Sequence, residues 1–456
     1  MARTATLDTR EDRRRRGRQL RDTAPRSSHG AWEPLPTRQA ALDVLRTQEE
    51  TRIADLIPVR HARMAVSPFT FFRGAAAVMA MDLASTPVTG LQVQACGDAH
   101  VTNFGEFATP ERNVVFDIND FDETLPGPWE WDVKRLCASL QVVTRQEGFT
   151  PAQSRRVVTT AVREYRERMD TYAGMRALEV WYDRIHIEDV VAHFPKSYRP
   201  RVLRHLVKVH RKTHQRAAAK LRWSAEDGDR FVEEPPLLVR LDHTEYEMAE
   251  VVTMLDNYRL TLTGDRRALF DRFELVDVAR KVVGVGSVGT SCWVVLFEGP
   301  RHRDGDPLIL QIKEAQPSVL EAYVGPSPFE HQGMRVVEGQ RLTQAASDIF
   351  LGWTQGPRSG RHYYVRQLWD VKGQGDPTAM DPDGLVYYGA LCAWGLARAH
   401  ARTGDAVQIA GYLGSGDVFD EAIAEFADRY AQVNEEDHRA FVAAIAAGEV
   451  EVAAAY

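Results

Sequence analysis

Cysteine is scarce in this chain, and long apolar runs are absent. The four cysteines, Cys96, Cys137, Cys292 and Cys392, stand alone, without the paired spacing of a zinc site or the density of a disulfide scaffold. They read as reduced thiols, which points to the cytoplasm. No stretch reaches the roughly 18 consecutive apolar residues that a membrane-spanning helix needs, so no membrane partner is expected. A surplus of positive charge is missing too. The 456 residues carry a net charge of −7, which argues against a nucleic-acid-binding protein. The exception is Arg13-Arg14-Arg15-Arg16. No apolar stretch follows it, so it is not a twin-arginine export signal. Residues 1–36 read as an arginine-rich disordered tail, the one part suited to an anionic partner.

The rest has an ordinary globular composition, 44% hydrophobic and 27% charged, with enough chain for two or three domain cores. Helical spacing dominates up to about residue 270. Leu91–Ala95 reads as a short strand running into Gly97-Asp98. From about Leu275 the chain turns strand-rich, with Ala279–Val283, Cys292–Glu298 and Pro307–Lys313 full of Val, Ile and Leu. Met334–Ala346 reads as a helix, Arg361–Leu368 as a strand, and Leu385–Arg402 and Phe419–Tyr430 as helices. Helices, a small sheet, then helices again give an α+β chain. Its expected segments are the tail, a helical lobe over 37–270, a β-rich lobe over 271–372 and closing helices over 373–456.

Two constellations carry chemistry. The first is Cys96-Gly97-Asp98-Ala99-His100-Val101-Thr102-Asn103, followed by Phe116-Asp117-Ile118-Asn119-Asp120-Phe121-Asp122. A carboxylate after a strand with an amide five residues later suits a loop folded around a metal. Asp98 can take a proton from an attacking hydroxyl, and Asn103 can give a neutral oxygen to Mg²⁺. Asp117 and Asp120 compete as the carboxylate that holds Mg²⁺ between phosphates, and spacing does not choose. His100 reads as a packed loop residue. A glycosidase-like carboxylate pair would leave the amide unexplained. His210 and His214 have helical zinc spacing but lack the glutamate of a metalloprotease helix, and they read as a solvated basic face.

The second is Gly284-Val285-Gly286-Ser287-Val288-Gly289. Glycines at this spacing serve dinucleotide-binding folds and kinases alike. A dinucleotide loop must open a helix, whereas Cys292-Trp293-Val294-Val295-Leu296-Phe297 is strand-like. Strand, glycine turn and strand suit backbone N–H groups covering phosphates. Lys313 ends the next strand, where it would neutralise a nucleotide's phosphates, with Glu338 as its expected partner and Glu321 as the rival. Gln367, Leu368 and Trp369 would form a hinge offering a backbone donor and acceptor to adenine.

Gly97–Asn103 resembles the Asp-x-His-x-x-Asn catalytic loop of aminoglycoside and choline phosphotransferases. Phe116-Asp117 is similar to their metal-binding Ile-Asp, and Trp131-Asp132-Val133-Lys134-Arg135-Leu136 to their later Trp-Asp helix start. The resemblance implies that Asp98 is the base, that Asn103 and Asp117 bind metal, and that Asp132 braces the loop. Cys96 departs from the usual histidine. Gly97–Phe104, Phe116–Leu125, Trp129–Leu136, Val282–Gly289 and Ala346–Trp353 also resemble the bacterial domain-of-unknown-function 2252 family. In kinases the glycine turn comes first, and here it comes second. The second resemblance names a family and no activity; the phosphotransferase resemblance, with the glycine turn and Lys313, implies a bilobal protein kinase-like fold in circularly permuted order, using ATP and Mg²⁺ to phosphorylate a hydroxyl of a small molecule. Adenylyl transfer and a catalytically silent nucleotide-binding regulator are the alternatives.

Overall fold

The computed structural model describes residues 8–210, 222–223, 230–241, 245–300, 306–368 and 373–453. His214 and Trp369 lie outside them, as does the side chain of His210. Thirteen described strands run from β1 (Gln92–Ala95), β2 (Phe104–Ala108), β3 (Val114–Ile118), β4 (Leu125–Pro128), β5 (Ile185–His186), β6 (Arg222–Trp223) and β7 (Arg230–Phe231) to β8 (Leu238–Arg240). They continue with β9 (Glu274–Lys281), β10 (Cys292–Glu298), β11 (Pro307–Glu314), β12 (Gly352–Gln355) and β13 (His362–Gln367).

The helical body is built on Trp129–Gln146, Pro151–Gly174, Pro382–Thr403 and Val418–Ala446. Their starts are written locally. Thr150 and Gln153 close a capping box ahead of Pro151, and the Asp381 carboxylate accepts from Gly384 N–H at 2.7 Å ahead of Pro382. Trp129–Gln146 is buried along almost its whole length, so helices must cover it on every side.

Small antiparallel sheets sit beside this body. β1 pairs with β4, and β3 lies between β2 and β5. The larger sheet has six antiparallel strands in the order β12-β13-β11-β10-β9-β8. The Glu245–Thr261 and Gly264–Phe270 helices, expected in the helical lobe, pack on this sheet instead. Their Met254, Leu255, Tyr258 and Phe270 share a core with Val278, Val295, Leu310 and Val365. The sheet-bearing body therefore begins by Leu238 rather than at residue 271.

The arginine-rich segment is not a disordered tail. Thr9 caps an Arg10–Gln19 helix that packs on the Ala406–Leu413 helix, with Arg13 bound to Asp405 at 2.6 Å. Arg21 donates to the Tyr412 and Gly411 carbonyls at 2.8 and 2.7 Å, and Arg26 to that of Leu413 at 2.5 Å. These arginines satisfy the open carbonyls at a helix C-terminus, where the backbone dipole favours cations. No described helix is long and apolar enough to cross a membrane.

Candidate functional site

The Asp98 loop is held from below. The Asp132 carboxylate accepts from the Cys96 and Gly97 backbone N–H groups at 2.6 and 2.9 Å, so Asp132 braces the turn. His400 Nε2 lies 3.1 Å from Asp132, and His400 Nδ1 lies 2.8 Å from the Tyr165 hydroxyl. Asp132 is thus fixed by a buried chain of hydrogen bonds. Gly97 has φ +80°, and a Cβ there would strike the Glu123 carbonyl at 2.2 Å. Only glycine fits that position.

Asp98 leaves this turn with its side chain 20% exposed, paired to Arg135 at 2.7 Å. The Asn103 amide donates to the Asp98 carbonyl at 2.7 Å, which closes the loop. His100 is buried with Nε2 3.7 Å from Asp98, and burial pushes its pKa well below the usual value. That leaves a neutral, packed ring.

The aspartates after the loop separate by environment. Asp117 is 1% exposed and grips Arg398, itself 0% exposed, at 2.6 Å. Its oxygens also accept from the Ile118 and Ala345 N–H groups. Every route for a metal is filled, so Asp117 is a structural residue and not the metal ligand implied by the resemblance. Asp120 instead lines a cavity of about 130 Å³ shared with Asp98 and Asn103.

The opposite wall of that cavity is the glycine turn. Gly284, Gly286 and Ser287 line it together with Glu314 and Gln316. Gly284 has φ +69° and Gly289 φ +91°, which lets the chain reverse between β9 and β10. The N-terminal helices hold the turn. Arg63 donates to the Gly284 carbonyl at 2.5 Å, Arg52 to that of Val288, and Ile53 N–H to that of Gly289 at 2.8 Å.

Lys313 joins the two walls. Its buried ammonium contacts Asp122, which lines the cavity and also accepts from Tyr364 OH at 2.7 Å and Ser287 Oγ at 3.2 Å. Burial opposes ionisation of Asp122, but Lys313 and Tyr364 outweigh it and hold the carboxyl below its usual range. Glu338 is not the lysine's partner, because it pairs with Arg341 at 2.8 Å. Glu321 caps Ser318 N–H and lies 4.0 Å from Arg335. The Gln332–Thr343 helix turns Val336 and Val337 to the core, which leaves Glu338 on an outer face. The hinge expectation fails at two described positions. Gln367 N–H goes to Asp348, and Leu368 N–H to the Ile309 carbonyl at 2.9 Å.

The sheet face that carries Lys313 has an apolar patch of Ala279, Val294, Leu296, Ile309 and Leu368. Paired register puts them on the lysine's side. Leu238 of β8 extends this patch, and Phe231 packs against it.

Glu123, also in the cavity wall, has its pKa raised to about 7 by burial, against a donor bond from Val319 N–H. Because the folded value lies above the unfolded 4.5, its contribution to stability is present at low pH and is lost as pH rises from about 4.5 to about 7. A Glu123→Gln variant should flatten that part of the melting-temperature profile and melt higher than the parent at pH 8. Equal slopes in the two proteins would exclude Glu123 as the titrating group.

Among the described residues no cluster of three His, Cys, Asp or Glu side chains could hold a metal unaided. Asp120 and Asn103 fit Mg²⁺ in another way, because this ion keeps several waters and binds one or two carboxylates plus substrate phosphates. Sequence reasoning counted Asp122 among the carboxylates after β3 but not as the lysine's partner, and it missed Glu123 and three arginines at or near the cavity, Arg52, Arg73 and Arg135. Only Arg73, in Phe71-Phe72-Arg73-Gly74, carried a signal: a charge inside an otherwise apolar stretch.

The model of a bacterial family, described as uncharacterized protein conserved in bacteria (DUF2252), matches residues 52–444. The chain belongs to this family. Its matched span includes the Asp98 loop, Asp120, the glycine turn and Lys313. No curated protein and no solved structure matches the chain.

Proposed function

We propose that the protein is an ATP- and Mg²⁺-dependent phosphotransferase acting on a hydroxyl of a small molecule. One observation carries this reading: Asp98, Asn103 and Asp120 border the same cavity as Gly284, Gly286 and Ser287, from segments far apart in the chain. A proton acceptor, oxygen ligands and a backbone turn then meet around one small volume. Lys313 stands on the third strand counted from the turn's first strand, which is where phosphoryl-transfer sites of this type keep their lysine.

In this reading Asp98 accepts the acceptor's hydroxyl proton, and the Asp132 brace fixes its direction. The turn's N–H groups and Lys313 hold the donor's phosphates in line. Mg²⁺ on Asp120 and Asn103 would neutralise charge that builds on the phosphates. The cavity is smaller than the roughly 300 Å³ lower bound for ligand sites. The Ser287–Asp122–Lys313 contacts must therefore part as the donor enters.

A catalytically silent nucleotide-binding regulator is the second reading. It is favoured by the filled hinge positions and by Phe231 lying where a base would meet the sheet. The test separates them. MgATP should raise the melting temperature, and Asp98→Asn should keep that shift while losing about 10²–10⁴-fold in ADP release. No ADP release above background by the parent, with the MgATP shift kept, would leave only the regulator. Pyrophosphate in place of ADP would indicate adenylyl transfer.

A further inference from the structure

Arg73 stands in the last turn of the Pro68–Gly74 helix. Ser67 caps that helix, and the buried rings of Phe69, Phe71 and Phe72 anchor it in the core, so Arg73 is delivered to the cleft by a fixed element. It lines the cavity with Asp98, Asn103, Asp120 and the glycine turn. Its backbone carbonyl is close beneath the turn, where a Cβ on Gly286 would lie 3.2 Å away.

The other cations around the cleft are committed. Arg135 holds Asp98, Lys313 holds Asp122, and Arg52 reaches the Val288 carbonyl. Arg335 donates to the carbonyls of Asp122, Thr124 and Gln316. Among the described residues, no hydrogen bond or ion pair reaches the Arg73 guanidinium, and its Nε is closed off from solvent without an acceptor. Its charge is attracted by both Asp98 and Asp120, which line the same cavity. A guanidinium whose Nε is shut from water without an acceptor costs free energy. Its planar fork matches two oxygens of a phosphate.

We propose that Arg73 binds the terminal phosphoryl group of the donor, holding two of its oxygens between Asp98 and Asp120. The inference rests on the phosphotransferase reading and assigns the transferring group's clamp within it. In the step, the acceptor oxygen forms a bond to the terminal phosphorus and its proton passes to Asp98. The bond from that phosphorus to the bridging oxygen breaks, and its electron pair leaves with ADP. Arg73 stabilises the charge on the oxygens in transit, as an arginine supplied within the same chain.

Two measurements on the full chain test this. Tripolyphosphate with Mg²⁺ should raise the melting temperature of the parent and fail to raise that of Arg73→Ala, with Arg73→Lys between them. Equal shifts in all three, or none in the parent, overturn the inference whatever the enzyme does. In turnover, Arg73→Ala should lose about 10³-fold or more in kcat, with KM for ATP moving by no more than a few fold. A loss confined to KM, or full turnover in Arg73→Lys, overturns a role at the transferring group. Arg73→Lys keeps the charge and stem, so it serves where the alanine variant does not fold. A parent that binds tripolyphosphate through Arg73 but never releases ADP would sink the phosphotransferase reading alone.

Discussion

Replacing Asp117 with asparagine is expected to lower the unfolding free energy by about 3–5 kcal/mol, the usual cost of removing one partner from a buried ion pair. The pair is closed to water, at 1% and 0% exposure. Arg398 Nε and Nη1 have no acceptor of their own, so the whole guanidinium relies on Asp117 and the Thr343 carbonyl. Asparagine would leave a full charge in the core without its counter-charge. Urea unfolding reads the loss directly. The double variant Asp117→Asn/Arg398→Met should recover part of it, because the stranded charge goes with the second change. The Mg²⁺ dependence of nucleotide binding should be unchanged. If Asp117→Asn melted like the parent but lost its response to Mg²⁺, the assignment of Asp117 as structural would be wrong.

Asp120→Asn should do the reverse. Asp120 borders the cavity and stands two residues from the Asp122 that holds Lys313, so its loss takes away the carboxylate proposed for Mg²⁺. Asp120 accepts from Asp122 N–H at 3.3 Å, so stability should move by about 1 kcal/mol, the scale of one hydrogen bond. Turnover should fall by at least about 10²-fold, on the scale of losing one electrostatic stabiliser of a phosphoryl-transfer site. The decisive readout is the thermal shift with ATP measured with and without Mg²⁺. The parent should need the metal, and Asp120→Asn should show the same small shift in both conditions. A preserved Mg²⁺ response in this variant would move the metal to other residues.

These paired aspartates show what the sequence could and could not reveal. The Asp98 loop, the glycine turn and Lys313 were legible because each depends on neighbours within a few residues: a strand end, a left-handed glycine, an apolar strand. Asp117 was not, because every residue of β3 is buried and alternation therefore carries no information about which side faces the cleft. Its partner Arg398 lies 281 positions away. Glu338 was chosen for its helix and its charge, yet the lysine found Asp122 through tertiary packing. The N-terminal arginines read as solvated because the acceptors of Arg21 and Arg26 are backbone carbonyls, which no side-chain pattern marks, and Arg13 finds Asp405 at the far end of the chain. The Glu245–Thr261 helix was legible as a helix. Nothing in its own residues says which of two bodies it will cover.

The six-stranded sheet and its helices are formed by one continuous stretch, from about Leu238 to Leu368, set inside a helical body whose own chain runs on both sides of it. Mechanically, such an insert is a jaw carried on two covalent tethers, one entering before β8 and one leaving after β13. The Gln332–Thr343 helix also fastens the insert to the body, through Val336 and Val337 in the body's core and through the Arg402 bond to the Leu342 carbonyl at 2.9 Å. The Arg52 and Arg63 contacts to the glycine turn, and the Ser287–Asp122–Lys313 group, then act as its catches. Both catches meet at the glycine turn. Any movement of the turn therefore loads both catches at once, in the wall of the cavity that Arg73 also lines.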